Sequence, residues 1–144
     1  MNWFKQHEMA EAGSRFDLAE VLAQCTFNQD GLIPCIAQQH DTRQVLMMAW
    51  MNREAIVKTL AGGLVCYWSR SRQRLWQKGE QSGQVQRLVE LRLDCDGDTL
   101  LALVDQQGSA CHTGRSNCFF YSVNKDKLVI NAAPVIDPKV LYQN

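Results

Sequence analysis

An α+β fold, with a mainly antiparallel sheet and two or three helices, is what this 144-residue sequence predicts. Short apolar or alternating runs at residues 31–38, 44–50, 85–93 and 99–104 have strand character. Helical spacing is concentrated at 16–25 and 51–63. Asp96–Gly97 stands between two of the strand-like runs, where it signals a hairpin.

Taken in order, "FDLAEVLAQC" (16–25) aligns Leu18, Val21, Leu22 and Cys25 at helical spacing. "GLIPCIAQ" and "QVLMMAW" read as strands joined by the turn "HDTRQ". Pro34 lacks an N–H and points to an edge position for the first strand. In "MNREAIVKTLAGG", Asn52 is a good N-cap and Glu54 suits the positive end of the helix dipole, while Gly62–Gly63 stop the helix. "LVCYWS", "VQRLVELRL" and "TLLALV" follow as strands, and "CFFYSV" is expected to continue the meander. The tail from Asn124 to Asn144 carries Pro134 and Pro138 and has weak periodicity.

The length suits a single domain over 1–144, and a chain of this size buries roughly 68–70% of its unfolded surface, so it needs neither disulfide nor metal merely to fold. Fifteen basic residues balance fifteen acidic ones, which removes any general attraction to nucleic acid or an anionic membrane. No apolar run reaches membrane-spanning length, and "MNWFKQHEMAEAGSRF" lacks the apolar core of a secretion signal. A soluble, cytoplasmic protein is expected, with neither nucleic acid nor membrane as a partner.

Six cysteines in a reducing compartment point to metal or catalysis before disulfides. Cys25, Cys35 and Cys66 sit singly among apolar neighbours and read as core. Cys95, Cys111 and Cys118 have acidic, polar or histidine neighbours. In "LDCDGD", strand alternation sends Asp94, Asp96 and Asp98 one way and Cys95 the other. Carboxylates suit Mg²⁺ or Ca²⁺ and a thiolate suits Zn²⁺, so the stretch suggests two different metals back to back. The plain alternative is a turn that is acidic because turns favour Asp. An EF-hand loop is excluded because Thr99 stands where that loop needs glycine.

"GSACHTGRSNCFF" supplies Cys111 and Cys118 seven residues apart, which is not a zinc-finger spacing. Three thiolates would leave one zinc position for water, as in a catalytic site, and zinc lowers the pKa of such a water to about 7. His112 could shuttle protons, or serve as a fourth ligand and make the site structural. Upstream, "YWSRSRQRLWQKGEQSG" concentrates arginine, lysine and serine donors that suit phosphate oxygens, with Trp68 and Trp76 able to stack on a base. Its alternative reading is a solvated basic strand.

Together, "DGLIPCIAQ", "VLMMAWMNREA", "YWSRSRQRLWQKGEQSG", "LDCDGD" and "ACHTGRSNCFF" resemble, in order, the phosphoribosyl-AMP cyclohydrolases of histidine biosynthesis over about residues 30–121. The resemblance implies hydrolysis of the N1–C6 bond of the adenine ring of 1-(5-phosphoribosyl)-AMP. It implies Zn²⁺ held by Cys95, Cys111 and Cys118, and Mg²⁺ held by Asp94, Asp96 and Asp98. It also implies an intertwined homodimer whose zinc thiolates come from both chains. On this reading His112 is the general acid/base. Ser69, Arg70, Ser71, Arg72, Lys78, Glu80, Ser82 and Arg115 are candidates for substrate contacts. Asn117 departs from the small hydroxyl residue expected there, and Phe120–Tyr121 from an aromatic–basic pair.

Two other functions compete with this one. A nucleobase deaminase needs H-x-E followed by P-C-x-x-C, and neither occurs here. A zinc-stabilised nucleotide- or RNA-binding module would differ by unfolding, or holding its zinc, under mild chelation.

Overall fold

The computed structural model describes residues 2–142. Alternation of buried and half-buried side chains builds β1 (Ile33–Gln39), with Ile33, Cys35 and Ala37 turned inward. It pairs antiparallel with β2 (Val45–Met51), and the connecting turn closes through Arg43 at φ 67. A second hairpin joins β5 (Gln86–Leu93) to β6 (Leu100–Gln106). The two hairpins meet through a parallel β1–β6 contact, which gives the order β2-β1-β6-β5.

β1 is therefore internal, contrary to the edge position that Pro34 suggested. The physical reason lies in the register. The ladder with β6 begins at Cys35↔Leu100, one residue beyond the proline, so its missing N–H falls outside that ladder.

Between the hairpins lie α3 (Arg53–Gly62), β3 (Cys66–Ser69) and β4 (Arg74–Gln77). The α3 caps follow the sequence reading. The Asn52 side chain accepts from the Ala55 amide at 2.8 Å, and Gly63 ends the helix in the left-handed region. Thr59, fully buried on α3, accepts from the Cys66 amide at 2.9 Å and fastens the helix to β3. β3 and β4 form a separate two-stranded ribbon. Two bonds, from the Val65 amide to the Gln86 carbonyl and from the Leu88 amide to the Gly63 carbonyl, tie the residues leading into the ribbon to β5 of the main sheet.

The core gathers Ile33, Cys35, Met51, Ile56, Val65, Tyr67 and Val104. Its polar centre is satisfied internally: the Tyr67 hydroxyl donates to Gln86 Oε1 at 2.7 Å, and Gln86 Nε2 donates to Gln106 Oε1 at 2.9 Å.

Two expectations change. Among the described residues helices number four, because α1 (Trp3–His7) and α4 (Pro138–Leu141) join α2 (Leu18–Gln24) and α3. Both additions are shorter than two turns and carry no periodic stripe, although Asn2 and Asp137 cap them. "CFFYSV" does not extend the main sheet. Only its end forms β7 (Tyr121–Asn124), which pairs with β8 (Lys127–Ile130) as a detached hairpin. Residues 110–118 fold into a bonded loop instead, so the chain leaves the sheet after β6. The hairpin that Asp96–Gly97 signals does form, with β5 and β6 joined over residues 94–99.

Candidate active site

The 94–99 connection is organised by its first aspartate. Asp94 Oδ1 accepts from the Asp98 and Thr99 amides at 3.0 and 3.2 Å. The loop is thus folded back on itself, and extended-strand alternation does not describe it. It brings carboxylate oxygens of Asp94, Asp96 and Asp98 within 4.8 Å of one another. Partial burial opposes ionisation of Asp94, but the bonds from Asp98, Asp96 and Thr99 outweigh it and lower its pKa. Asp96 moves the other way, raised by its hydrogen-bonded and negatively charged neighbours Asp98 and Asp94. Three crowded oxygen donors fit a small divalent cation such as Mg²⁺.

Cys111 and Cys118 meet at the opposite side of the sheet. The Cys118 amide donates to the Leu46 carbonyl at 2.7 Å, which docks the loop on the outer edge of β2. Thr113 Oγ1 donates to Cys111 Sγ at 3.1 Å. Burial opposes ionisation of Cys111, but the Thr113 hydroxyl and amide, the Cys118 thiol and Lys78 outweigh it and lower its pKa. Burial first, and then the Cys111 charge, push Cys118 up to about 12. The pair therefore loses one proton readily and holds the other. Paired sulfur donors of this kind suit Zn²⁺. Asn117 Oδ1 accepts from the Phe119 amide at 2.7 Å, a local turn around Cys118.

Cys95 does not join them within one chain. It is exposed on the β5–β6 connection, whereas Cys118 lies on the β2 edge. At least two strand spacings, roughly 10 Å, separate those positions. Among the described residues, only the aspartates form a group of three with metal-type donors this close.

A cleft of about 370 Å³ collects Ser69, Ser71, Arg72, Lys78, Glu80 and Ser82. It lies along the β3–β4 ribbon and the turn that follows. Ser69 Oγ accepts from the Arg72 amide at 3.2 Å and holds that turn. Glu80 pairs with Arg74 at 3.2 Å, which leaves the orientation of Lys78 to other groups. Burial lowers the pKa of Lys78, while negative charge on the Cys118–Cys111 pair opposes that fall. Arg70 and Arg115 are held elsewhere. The Arg70 guanidinium lies over Trp50, and Arg115 donates to the Ala132 carbonyl at 2.7 Å while lying over Phe120. His112 is exposed beside Cys111.

Sequence reasoning missed Thr113, which a scan for hydroxyls two residues from a thiolate would find. It also missed Tyr142, which lines the cleft from a tail that carries no motif.

Fold and site define a class: an α+β protein with an oxygen-donor cluster, a thiol pair and a basic, hydroxyl-rich cleft. A family model described as phosphoribosyl-AMP cyclohydrolase matches residues 47–120. A phosphoribosyl-AMP cyclohydrolase of Alkalilimnicola ehrlichii is 64% identical over 139 residues, covering 96% of this chain and 98% of that protein. Proteins of the same name from Alcanivorax borkumensis and Halorhodospira halophila are 59% and 58% identical, each over 96% of this chain and 98% and 97% of their own lengths. The chain belongs to the phosphoribosyl-AMP cyclohydrolase family, hydrolases of a cyclic amidine that serve a step of histidine biosynthesis. Among the described residues, no helix is long and apolar enough to cross a membrane.

Proposed function

We propose that this protein is a zinc- and magnesium-dependent cytoplasmic hydrolase that opens the adenine ring of 1-(5-phosphoribosyl)-AMP at N1–C6. One observation carries the reading: Lys78 lines the serine–arginine cleft and also feels the negative charge of the Cys111–Cys118 pair. A cleft suited to phosphates thus adjoins a thiol pair suited to zinc.

Cys95, Cys111 and Cys118 would hold zinc, and Asp94, Asp96 and Asp98 magnesium. Zinc supplies Lewis acidity that makes water reactive near neutral pH. In the net reaction a water oxygen bonds to C6 and the C6–N1 bond breaks, leaving a carboxamide and a formimino group. His112 takes a proton from the water and returns one to N1. Ser69, Ser71, Arg72, Lys78 and Ser82 bind the phosphates and ribose, while Glu80 steadies Arg74.

The working unit we propose is a homodimer in which Cys95 meets the partner subunit's Cys111 and the partner subunit's Cys118. Two features support it. Cys95 lies on the β5–β6 connection while Cys118 is docked on β2, and β7–β8 exposes Tyr121, Val123, Leu128, Val129 and Ile130. An apolar ribbon of that kind suits burial against another chain.

The test is an ultraviolet assay of phosphoribosyl-AMP hydrolysis with and without a chelator. Turnover that stops on metal removal and returns with zinc and magnesium is expected. An undiminished rate in protein shown to be metal-free would defeat the proposal.

A further inference from the structure

Residues 131–142 are fastened to the cysteine loop and then to the cleft. The Asn131 amide donates to the Phe120 carbonyl at 2.9 Å, and Arg115 Nε to the Ala132 carbonyl at 2.7 Å. Next, the Val135 and Ile136 amides both donate to the Gly114 carbonyl, at 2.9 and 3.2 Å. Gly114 has φ +82, and a Cβ there would overlap the Ile136 carbonyl oxygen, so the segment lies directly on the loop between Cys111 and Cys118. Asp137 then caps the single turn of α4 by accepting from the Lys139 amide at 2.9 Å. Leu141 is 7% exposed and pins that turn, while Tyr142 beside it is 49% exposed and lines the cleft together with Trp76 and Lys78.

We infer that the Tyr142 ring is a wall of the nucleotide cleft, set in place by a C-terminal strap hooked on Gly114. This rests on the function proposed above. The cleft offers cationic and hydroxyl groups to phosphates, while Trp76 and Tyr142 are its aromatic walls. An aromatic face stacks on a purine or lies against a ribose without a hydrogen bond of its own. Anchoring the ring through Leu141 lowers the entropy lost when ligand binds. The hook also means that the loop carrying Cys111 and Cys118 and the wall that holds the nucleotide share one support.

The experiment uses the full chain loaded with zinc and magnesium. Tyr142→Ala should raise KM for phosphoribosyl-AMP about tenfold and leave kcat within about threefold, the pattern of lost uniform binding. Tyr142→Phe should stay near wild type, because the ring and not the hydroxyl makes the contact. Leu141→Ala, which frees the turn, should move KM in the same direction. Metal content and unfolding temperature should be unchanged in Tyr142→Ala, since that side chain is half exposed. Affinity for AMP, measured by calorimetry, should fall by the same factor, and that reading needs no turnover. An unchanged KM and AMP affinity in Tyr142→Ala, or an equal loss in Tyr142→Phe, overturns the inference. Failure of the wild-type protein to hydrolyse phosphoribosyl-AMP sinks instead the function it rests on, and the AMP titration still decides the role of the ring.

Discussion

The Phe4 ring stands against the backbone of Gly97, so close that a Cβ at Gly97 would overlap Cε2 and Cζ of the ring. Helix α1 thereby touches the middle of the aspartate loop. The Thr26 amide adds a second support by donating to the Gly97 carbonyl at 2.8 Å. Gly97→Ala should be costly for two reasons, the overlap and a φ of +72 that L residues rarely adopt. We expect a loss of about 1–3 kcal/mol, seen as a fall of several degrees in the thermal midpoint. A double-mutant cycle separates the causes. In a Phe4→Ala background the cost of Gly97→Ala should shrink, because only the backbone strain is left. Strictly additive costs would show that Phe4 does not press on the loop.

The placement of the thiols yields a prediction about subunits. Cys95→Ser and Cys111→Ser should each lose bound zinc and turnover. Mixed and allowed to exchange, they should recover up to about a quarter of the wild-type rate, since half the dimers are hybrids with one intact site. The assay is turnover after subunit exchange, and zinc content should recover in parallel. No recovery, with exchange verified by mass, would assign all three ligands to one chain.

Asp96 shares its loop with two other carboxylates whose oxygens lie within 4.8 Å. A divalent cation relieves that crowding, so magnesium should raise the unfolding temperature of the wild-type protein by mass action. Asp96→Asn should blunt this rise and increase the magnesium needed for half-maximal activity by about tenfold. A titration curve that overlays the wild type would remove Asp96 from the site.

How much of this was legible in the sequence depends on the range of the interaction that decides each feature. Local signals carried α3, because Asn52 and Gly63 settle its ends within the segment itself. Strands β1, β2, β5 and β6 were legible from apolar runs and alternation. Strand neighbours were not. Pro34 constrains one N–H, and whether that N–H faces a ladder depends on where β6 begins, some 65 residues later. At "CFFYSV" the apolar character was real, but the docking of Cys118 on Leu46 takes the start of that run out of any strand. The site shows the same division. That Asp94, Asp96 and Asp98 crowd together was legible from their spacing. The strap that brings Tyr142 to the cleft rests on backbone bonds to Gly114, which no side-chain pattern announces.

His112 is exposed on the turn that Gly114 closes by donating its amide to the Cys111 carbonyl at 3.0 Å. Truncating an exposed side chain there leaves the core untouched. His112→Ala should therefore keep the wild-type unfolding temperature and zinc content while kcat falls about 10²- to 10⁴-fold. Loss of zinc along with activity would instead make the imidazole a ligand.

Cys35 and Cys95 should differ sharply toward a thiol reagent. Cys35 is fully buried, and burial pushes its thiol up to about 12. At pH 8 its thiolate fraction is then roughly 10⁻⁴. Raising the pH to 10 increases the Cys35 thiolate about a hundredfold, still to only about a per cent. The closed core adds a steric barrier to the same effect. In metal-free native protein, mass spectrometry after brief alkylation should find Cys95 modified and Cys35 untouched, with Cys35 reacting only as denaturant unfolds the sheet. Zinc should protect Cys95 without changing Cys35. Equal labelling of the two in the native state would mean that β1 is not the buried strand the packing describes.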